Sequence, residues 1–104
     1  MTQPNGKKVV SVQIIGRRWF QRSYGNTYHT AEIVVNGETV HALPKQYGYG
    51  DQYLHNALEW LQQNGYMPGY RDADHAHEFP REFFARQDVT YMYSVSDVKR
   101  ERDL

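Results

Sequence analysis

The sequence has no cysteine and no long hydrophobic run. Without thiols, the chain cannot form a disulfide framework, a thiolate nucleophile or a cysteine-based zinc site. No apolar stretch approaches the roughly 18 residues that a membrane span needs, and the chain does not open on a signal-peptide pattern. We therefore expect a cytoplasmic protein without a membrane partner.

The formal net charge of zero hides an unequal distribution along the 104 residues. Residues 1–45 carry six basic and two acidic side chains, a net charge of +4, whereas residues 46–104 carry six basic and ten acidic ones, a net charge of −4. Such a split suits an anionic partner of the first half, docking of the two halves, or head-to-tail self-association. Nine tyrosines also favour recognition surfaces. We expect a single domain that forms a homo-oligomer.

The first predicted strand begins at residue 8, where apolar and polar residues alternate up to residue 15. Gly16 predicts a bulge or a local twist, and the chain then continues extended through Phe20. The apolar positions expected on the core face are Val10, Val12 and Ile14.

Asn36-Gly37 predicts a tight hairpin, because both positions of a type I′ turn need a positive φ angle. The strand before it spans residues 27–35, and the strand after it ends at Pro44. A two-residue loop also fixes the register. The expected pairs are Val35 with Glu38, Ile33 with Val40, Ala31 with Ala42, and Glu32 with His41.

The second half predicts two helices and a fourth strand. Leucine and alanine recur at helical spacing over residues 51–64, with Asp51 as the N-cap and Asn64-Gly65 as the stop. A short helix follows Pro80, and residues 88–98 alternate as a strand. We predict an α+β fold: a four-stranded antiparallel sheet with one amphipathic helix packed on one face and a second short helix.

Residues 16–24 form the first candidate site, because three arginines and three aromatic residues lie close together there. In a strand, Arg18, Phe20 and Arg22 share one face, and Arg17 and Trp19 share the other. One of these sets could hold phosphates and stack bases, or it could cover a sheet edge with aromatic rings and arginine stems. The candidate ligand-binding or partner-binding residues of this segment are Arg17, Arg18, Trp19, Arg22 and Tyr24.

Two tyrosine- and glycine-rich segments, residues 24–30 and 47–51, form the second candidate site. Glycine lets a ligand approach the backbone, and the polar side chains offer hydrogen bonds. Ordinary turns are the alternative explanation. The candidate residues that these segments add are Asn26, Tyr28, His29, Tyr47, Tyr49 and Asp51.

Residues 72–78 contain a cluster of acidic side chains and two histidines, whose spacing matches no metal signature. The candidate metal ligands are His75, His77 and Asp74, and a solvated acidic loop is the alternative. The sequence has neither a G-x-S-x-G elbow nor an H-E-x-x-H motif. We therefore expect a non-enzymatic protein without a cofactor.

Four segments resemble small uncharacterised proteins of bacteriophages and prophages. They are R-W-F-Q-R-S-Y-G-N-T-Y-H-T (18–30), V-N-G-E (35–38), Y-G-Y-G-D-Q-Y (47–53) and D-V-K-R-E-R-D-L (97–104). The resemblance implies a bacterial host cytoplasm as the setting. Phage proteins of this size are often non-catalytic inhibitors, for instance of CRISPR complexes, or sponges for nucleotide immune signals.

These observations lead to three functional hypotheses. The first is a phage-type accessory protein that acts as a counter-defence inhibitor by binding a host protein complex. The second is a nucleotide-signal sponge, or a single-stranded nucleic-acid-binding module that uses residues 16–24. The third is a metal-dependent hydrolase at residues 72–78.

Overall fold

The computed structural model describes residues 2, 3 and 6–104, which form a four-stranded sheet with two helices. The sheet order is β3-β2-β1-β4, so the predicted α+β class is confirmed. Neither helix has the length or the apolar composition needed to cross a bilayer within these residues. The elements are β1 (Ser11–Gln21), β2 (Asn26–Val35), β3 (Glu38–Tyr47), α1 (Gln52–Gln63), α2 (Pro80–Arg86), β4 (Thr90–Val98) and a 3-10 turn (Glu101–Asp103).

The sheet is mixed, because β4 runs parallel to β1 while the other neighbours are antiparallel. The expectation of an antiparallel fourth strand is therefore wrong. After β3, helix α1 brings the chain back to the end of the sheet where β1 starts. The fourth strand then begins beside Ser11, which pairs with Thr90. A parallel pair needs such a crossover connection, and α1, α2 and the loop between them supply it.

Both helices pack on one face of the sheet, which we call the helix face; the opposite face is the open face. The predicted core positions Val12 and Ile14 are confirmed, with exposures of 1% and 0%. Val10 is 52% exposed and Val9 takes its place in the core, because the regular alternation of β1 begins only at Ser11. The core contains Val9, Val12, Ile14, Ala31, Ile33, Val35, Tyr53, Ala57, Leu58, Leu61, Met67, Phe83, Phe84 and Val89.

Gly16 does not form a bulge: it pairs in register with Ala31 on one side and with Val95 on the other. It lies under the ring of Tyr53, the second residue of α1. A Cβ atom built on Gly16 would lie 2.3 Å from Cδ2 of Tyr53. The glycine is therefore needed for the close packing of helix on strand, and the prediction of a bulge is wrong.

The Asn36-Gly37 turn is confirmed, with φ angles of 52° and 81°. The register is correct only next to the turn. A shift between Ile33 and Val34 pairs Ile33 with His41, and His41 therefore lies on the helix face, where its ring stacks on Trp60 at 4.4 Å. Three predicted pairs are wrong for this reason: Ile33 with Val40, Ala31 with Ala42, and Glu32 with His41.

Asn36 also holds the first strand beside the hairpin, which the sequence pattern did not reveal. Its Oδ1 accepts hydrogen bonds from the backbone N–H groups of Val10 at 2.8 Å and Ser11 at 3.2 Å. Its Nδ2 donates to the carbonyl of Lys8 at 2.8 Å. The turn residue thus fixes the point at which β1 begins.

Helix α1 follows its prediction closely. Tyr53, Ala57, Leu58 and Leu61 are its buried residues. The stop at Gly65 is confirmed: this residue has a φ angle of 79°, and the N–H of Tyr66 donates to the carbonyl of Leu61 at 2.9 Å. In α2, Phe83 and Phe84 are both fully buried.

We predict that Gly16→Ala destabilises the fold by about 1–3 kcal/mol, the usual range for overpacking in a rigid core. The added methyl group would force Tyr53 away from the sheet. Urea unfolding of the wild type, Gly16→Ala, Tyr53→Leu and the double variant measures the effect. The double variant should lose less free energy of unfolding than the two single variants lose in total, because the two residues are in contact. A loss equal to that total would contradict this contact.

Candidate functional site

The first two candidate segments meet at one end of the sheet, where β1 ends, β2 begins and β3 leads into α1. Tyr28 pairs with Tyr47 across β2 and β3, and Phe20 pairs with Thr27 across β1 and β2. Several large aromatic side chains here are more than half exposed. We call this region the aromatic end; its aromatic residues are Trp19, Phe20 (55% exposed), Tyr24 (77%), Tyr28, Tyr47 (64%) and Tyr49 (75%).

On the open face, aromatic rings from three neighbouring strands are in contact. Trp19 stacks on Tyr28 with ring centroids 5.9 Å apart, and Tyr28 meets Tyr47 edge to face, also at 5.9 Å. The Nζ atom of Lys45 lies 5.1 Å from the centre of the Tyr28 ring and 3.0 Å from Glu101 Oε2. The 3-10 turn that follows β4 is therefore anchored on this face.

Arg18 lies on the helix face and its charge is paired. Its guanidinium donates to both carboxylate oxygens of Asp97, at 2.8 and 3.2 Å, and to the carbonyl of Gly50 at 2.9 Å. It thus connects β1, β4 and the loop before α1. Arg22 does not share the face of Arg18 and Phe20, because β1 ends at Gln21 and the chain turns there.

Arg17 and Arg22 are the exposed arginines of the segment. Arg17 lies on the open face, beside Trp19 along β1. Within the described residues, neither guanidinium makes an ion pair with a carboxylate. Both positive charges are therefore available to a partner, whereas that of Arg18 is not.

His29 is 1% exposed and has a structural role. Its Nδ1 lies 3.1 Å from the carbonyl oxygen of Gly48, which can only accept, so Nδ1 carries the proton. Its Nε2 accepts from the Asn56 amide at 2.9 Å. That amide also donates to Gln46 and accepts from Gln52, at 2.6 and 2.9 Å. The network joins β2, β3 and α1, and it holds the loop before α1 in place.

The remaining candidates of the second site are turn residues. Asn26 is half-buried at the start of β2, opposite Gln21. Asp51 stands at the N-cap of α1 as predicted, but its side chain makes no capping hydrogen bond. Its carboxylate lies 3.4 Å from His55 Nε2 instead. Asp51 therefore contributes negative charge near the aromatic end.

The histidine and acid segment is an ordered turn. His75 Nδ1 lies 2.6 Å from Asp72 Oδ1, which also accepts from the backbone N–H of Asp74 at 3.1 Å. His77 and Asp74 are exposed. Across residues 2, 3 and 6–104 no three histidine, aspartate or glutamate side chains are grouped so that they could hold a metal ion. The geometry therefore gives the hydrolase hypothesis no support.

The last residue of this segment, Glu78, forms an ion pair with Arg86 that the sequence did not predict. Glu78 is 6% exposed, and its carboxylate accepts from Arg86 at 2.6 and 3.1 Å. Arg86 also donates to the carbonyl of Gly69 at 2.9 Å. The hydrogen bonds from Arg86 hold the pKa of Glu78 below its usual range. The pair fastens the loop between the two helices to α2, and no sequence motif marks it.

An open groove of about 700 Å³ lies between α1 and α2, above β4. Its walls come from separate segments of the chain, so no local sequence pattern marks it. Burial raises the pKa of Tyr91, which keeps this phenol protonated in the groove. The lining residues that contribute large side chains are Leu54, Leu58, Tyr70, Arg71, Phe79, Arg81, Tyr91 and Tyr93.

Comparison of the chain with protein-family models, with curated proteins and with solved structures found no match.

We predict that His29→Ala lowers the free energy of unfolding by about 2–4 kcal/mol, because it leaves a cavity and removes both hydrogen bonds of the buried ring. Urea unfolding measures the loss. The control is His77→Ala, an exposed side chain that should change stability by less than about 0.5 kcal/mol. Similar losses for the two variants would contradict the structural role of His29.

We predict that Glu78→Gln destabilises the protein near neutral pH, and that the difference from the wild type disappears in acid. A carboxylate with a lowered folded-state pKa stabilises above its ordinary pKa of about 4.3 and loses this effect as the pH falls through the folded value. Urea unfolding of both proteins from about pH 7 to pH 2.5 tests the sign. Glu38→Gln, in the exposed hairpin, is the control, and a pH-independent difference for Glu78→Gln would rule the explanation out.

Proposed function

We propose that this chain is a non-enzymatic binding protein that recognises a protein partner through the aromatic end. The observation that carries the proposal is the exposure of four large aromatic side chains at one end of the sheet, beside the unpaired charges of Arg17 and Arg22. Tyrosine, tryptophan and arginine are the residues that most often dominate the energy of a protein interface. Large exposed apolar side chains that are grouped in one region, and not scattered singly, often mark an interaction site.

The arrangement of the rings favours a protein over a single-stranded nucleic acid. A base-stacking platform needs free ring faces in a row on one side of a sheet. Here Trp19 and Tyr28 stack on each other, and Lys45 lies over Tyr28. Phe20 points to the helix face and Tyr47 to the open face, so the exposed rings surround the end of the sheet. Exposed rings in this arrangement can insert into pockets of a larger partner.

The charges of this end indicate an acidic partner surface. Arg17 and Arg22 stand free, and the carboxylates of Asp97 and Glu101 are engaged by Arg18 and Lys45. The Asp51 carboxylate, 3.4 Å from His55 Nε2, is a single negative charge against these two free arginines. Positive groups at the rim of an interface raise the association rate with an acidic partner and exclude basic ones.

The resemblance to small phage proteins suggests where such a partner would be found. A small protein that presents an aromatic binding surface suits a counter-defence inhibitor, which acts by occupying a host protein complex in the bacterial cytoplasm. The tyrosines and glycines of residues 24–30 and 47–53 carry both the resemblance and much of the aromatic end. This supports the view that the shared segments form the binding surface.

The second candidate function is binding of a nucleotide or a single-stranded nucleic acid. One observation favours it: Arg17 and Trp19 lie side by side on the open face, within the first candidate segment, residues 16–24. A base would then have to stack on the outer face of Trp19, with a phosphate at Arg17.

The test is affinity capture from nuclease-treated bacterial extract with the wild type, a Tyr24→Ala/Tyr49→Ala variant and an Arg22→Ala variant. We expect the tyrosine variant to lose the captured protein, since hot-spot residues each contribute about 2 kcal/mol or more. Phe79→Ala removes an aromatic side chain of similar exposure, 60%, from the groove between the helices and should retain the capture.

Titration of the wild type with oligonucleotides and cyclic nucleotides decides between the two functions. We expect no change in tryptophan fluorescence. A change that Arg17→Gln abolishes, and that weakens steeply with salt for the oligonucleotides, would replace the protein partner by a nucleic acid. If the Tyr24→Ala/Tyr49→Ala variant still captures the partner protein, the assignment of the binding surface to the aromatic end is wrong.

A further inference from the structure

The two edges of the sheet differ in how they are protected against pairing with another strand. The outer strand β3 contains Pro44 and Lys45, and its pairing with β2 shifts register twice. Proline, lysine and bulges are the devices by which natural sheets block an edge. The edge formed by β3 is therefore closed to a further strand.

The edge formed by β4 has none of these devices. It pairs with β1 in unbroken register over nine residues, from Thr90 to Val98. Residues 90–96 carry no charge, and Met92 and Tyr93 are 53% and 56% exposed on the two faces. A long, regular and uncharged edge strand is a template for another strand.

The hydrogen-bonding groups of β4 divide in a regular way between the two sides of the strand. The N–H of Thr90 donates to the carbonyl of Val10 at 3.0 Å, so the backbone groups of Thr90 face β1. Backbone groups alternate in direction along a strand. Those of Tyr91, Tyr93 and Val95 therefore face away from β1, at the outer edge.

We propose that a second copy of this chain pairs with this edge, β4 against β4, in antiparallel orientation about a two-fold axis at Tyr93. The register places Tyr93 opposite Tyr93, Tyr91 opposite Val95, and Met92 opposite Ser94. Aromatic and β-branched side chains are favourable cross-strand neighbours. The same surface serves both copies, as a two-fold interface requires, and the product is one eight-stranded sheet.

The position of charges and of α2 selects this register over its neighbours. An axis at Val95 would place Asp97 against Tyr93, and the charged residue Lys99 against Tyr91. An axis at Tyr91 would carry residues 94–96 past the start of β4 and onto residues 86–88, where α2 ends. An axis at Tyr93 keeps every paired residue between positions 90 and 96 uncharged.

The pairing is independent of the proposed partner surface. β4 reaches the aromatic end at Val98, so antiparallel pairing puts the two aromatic ends at opposite extremes of the dimer. The dimer would present two binding surfaces, and a partner complex with repeated subunits would be held by both. A monomeric protein would contradict the pairing of β4, whereas loss of partner capture concerns only the aromatic end, so the two proposals can fail separately.

Light scattering coupled to size-exclusion chromatography tests the proposal. We expect the wild type to have twice the 12.3 kDa mass of the chain. Tyr93→Lys places two positive charges against each other at the axis, and Tyr93→Pro removes an outward N–H group that β1 does not use. Both variants should be monomers with an unchanged circular dichroism spectrum. Tyr24→Lys changes a tyrosine of greater exposure at the aromatic end and should remain a dimer.

Because the chain has no cysteine, single-cysteine variants can read out the register. Two Tyr93→Cys residues would have Cα atoms about 5.5 Å apart and should form a disulfide on mild oxidation. Two Ser96→Cys residues would lie about 20 Å apart and should not. A monomeric wild type, a dimer that survives both Tyr93 variants, or equal cross-linking at both cysteine positions would each overturn the proposal.

Discussion

The contact between Tyr53 and Gly16 sets the distance at which α1 crosses the sheet, and the rest of the structure depends on it. A side chain on Gly16 would occupy the place of the tyrosine ring. Because the ring can lie directly on the backbone of β1, the first turn of α1 comes close enough for Asn56 to reach His29. The same approach brings the carbonyl of Gly50 within reach of Arg18. One missing Cβ atom therefore determines how the loop before α1 is held.

This arrangement gives the molecule one face that the helices cover and one end that the helices leave uncovered. The two helices and the loop between them cover most of one face, and the ion pair of Glu78 with Arg86 fastens that loop to α2. Within residues 2, 3 and 6–104, neither helix covers the aromatic end, although six aromatic residues lie there. Aromatic surface left in water costs hydrophobic free energy, about 25 cal/mol for each Å² that could have been buried. This exposure is the basis of the proposed partner surface.

The sequence was a good guide wherever a signal was local. The Asn36-Gly37 turn, the stop of α1 at Gly65 and the short helix that begins at Pro80 all agree with it. The predicted register of β3 was wrong because a contact between distant residues decides it. His41 lies on the helix face, where it stacks on Trp60, and a shift in the pairing of β2 with β3 accommodates this position. The candidate residues were found, but their roles were not. Arg18 and His29 stabilise the fold: Arg18 donates hydrogen bonds to Asp97 and the carbonyl of Gly50, and His29 donates to the carbonyl of Gly48.

The sequence by itself determined the class of the fold, its secondary structure and the segments that form the aromatic end, since turn chemistry and hydrophobic periodicity act within a few residues. Only the tertiary structure decided the direction of β4, the groove between the helices and the division between structural and free arginines. These features depend on contacts between residues far apart in the chain, such as Arg18 and Asp97, which are 79 positions apart. The tertiary structure also decides which edge of the sheet remains open. The position of β4 beside β1 depends on the path of the chain over the helix face and not on any pattern within the strand.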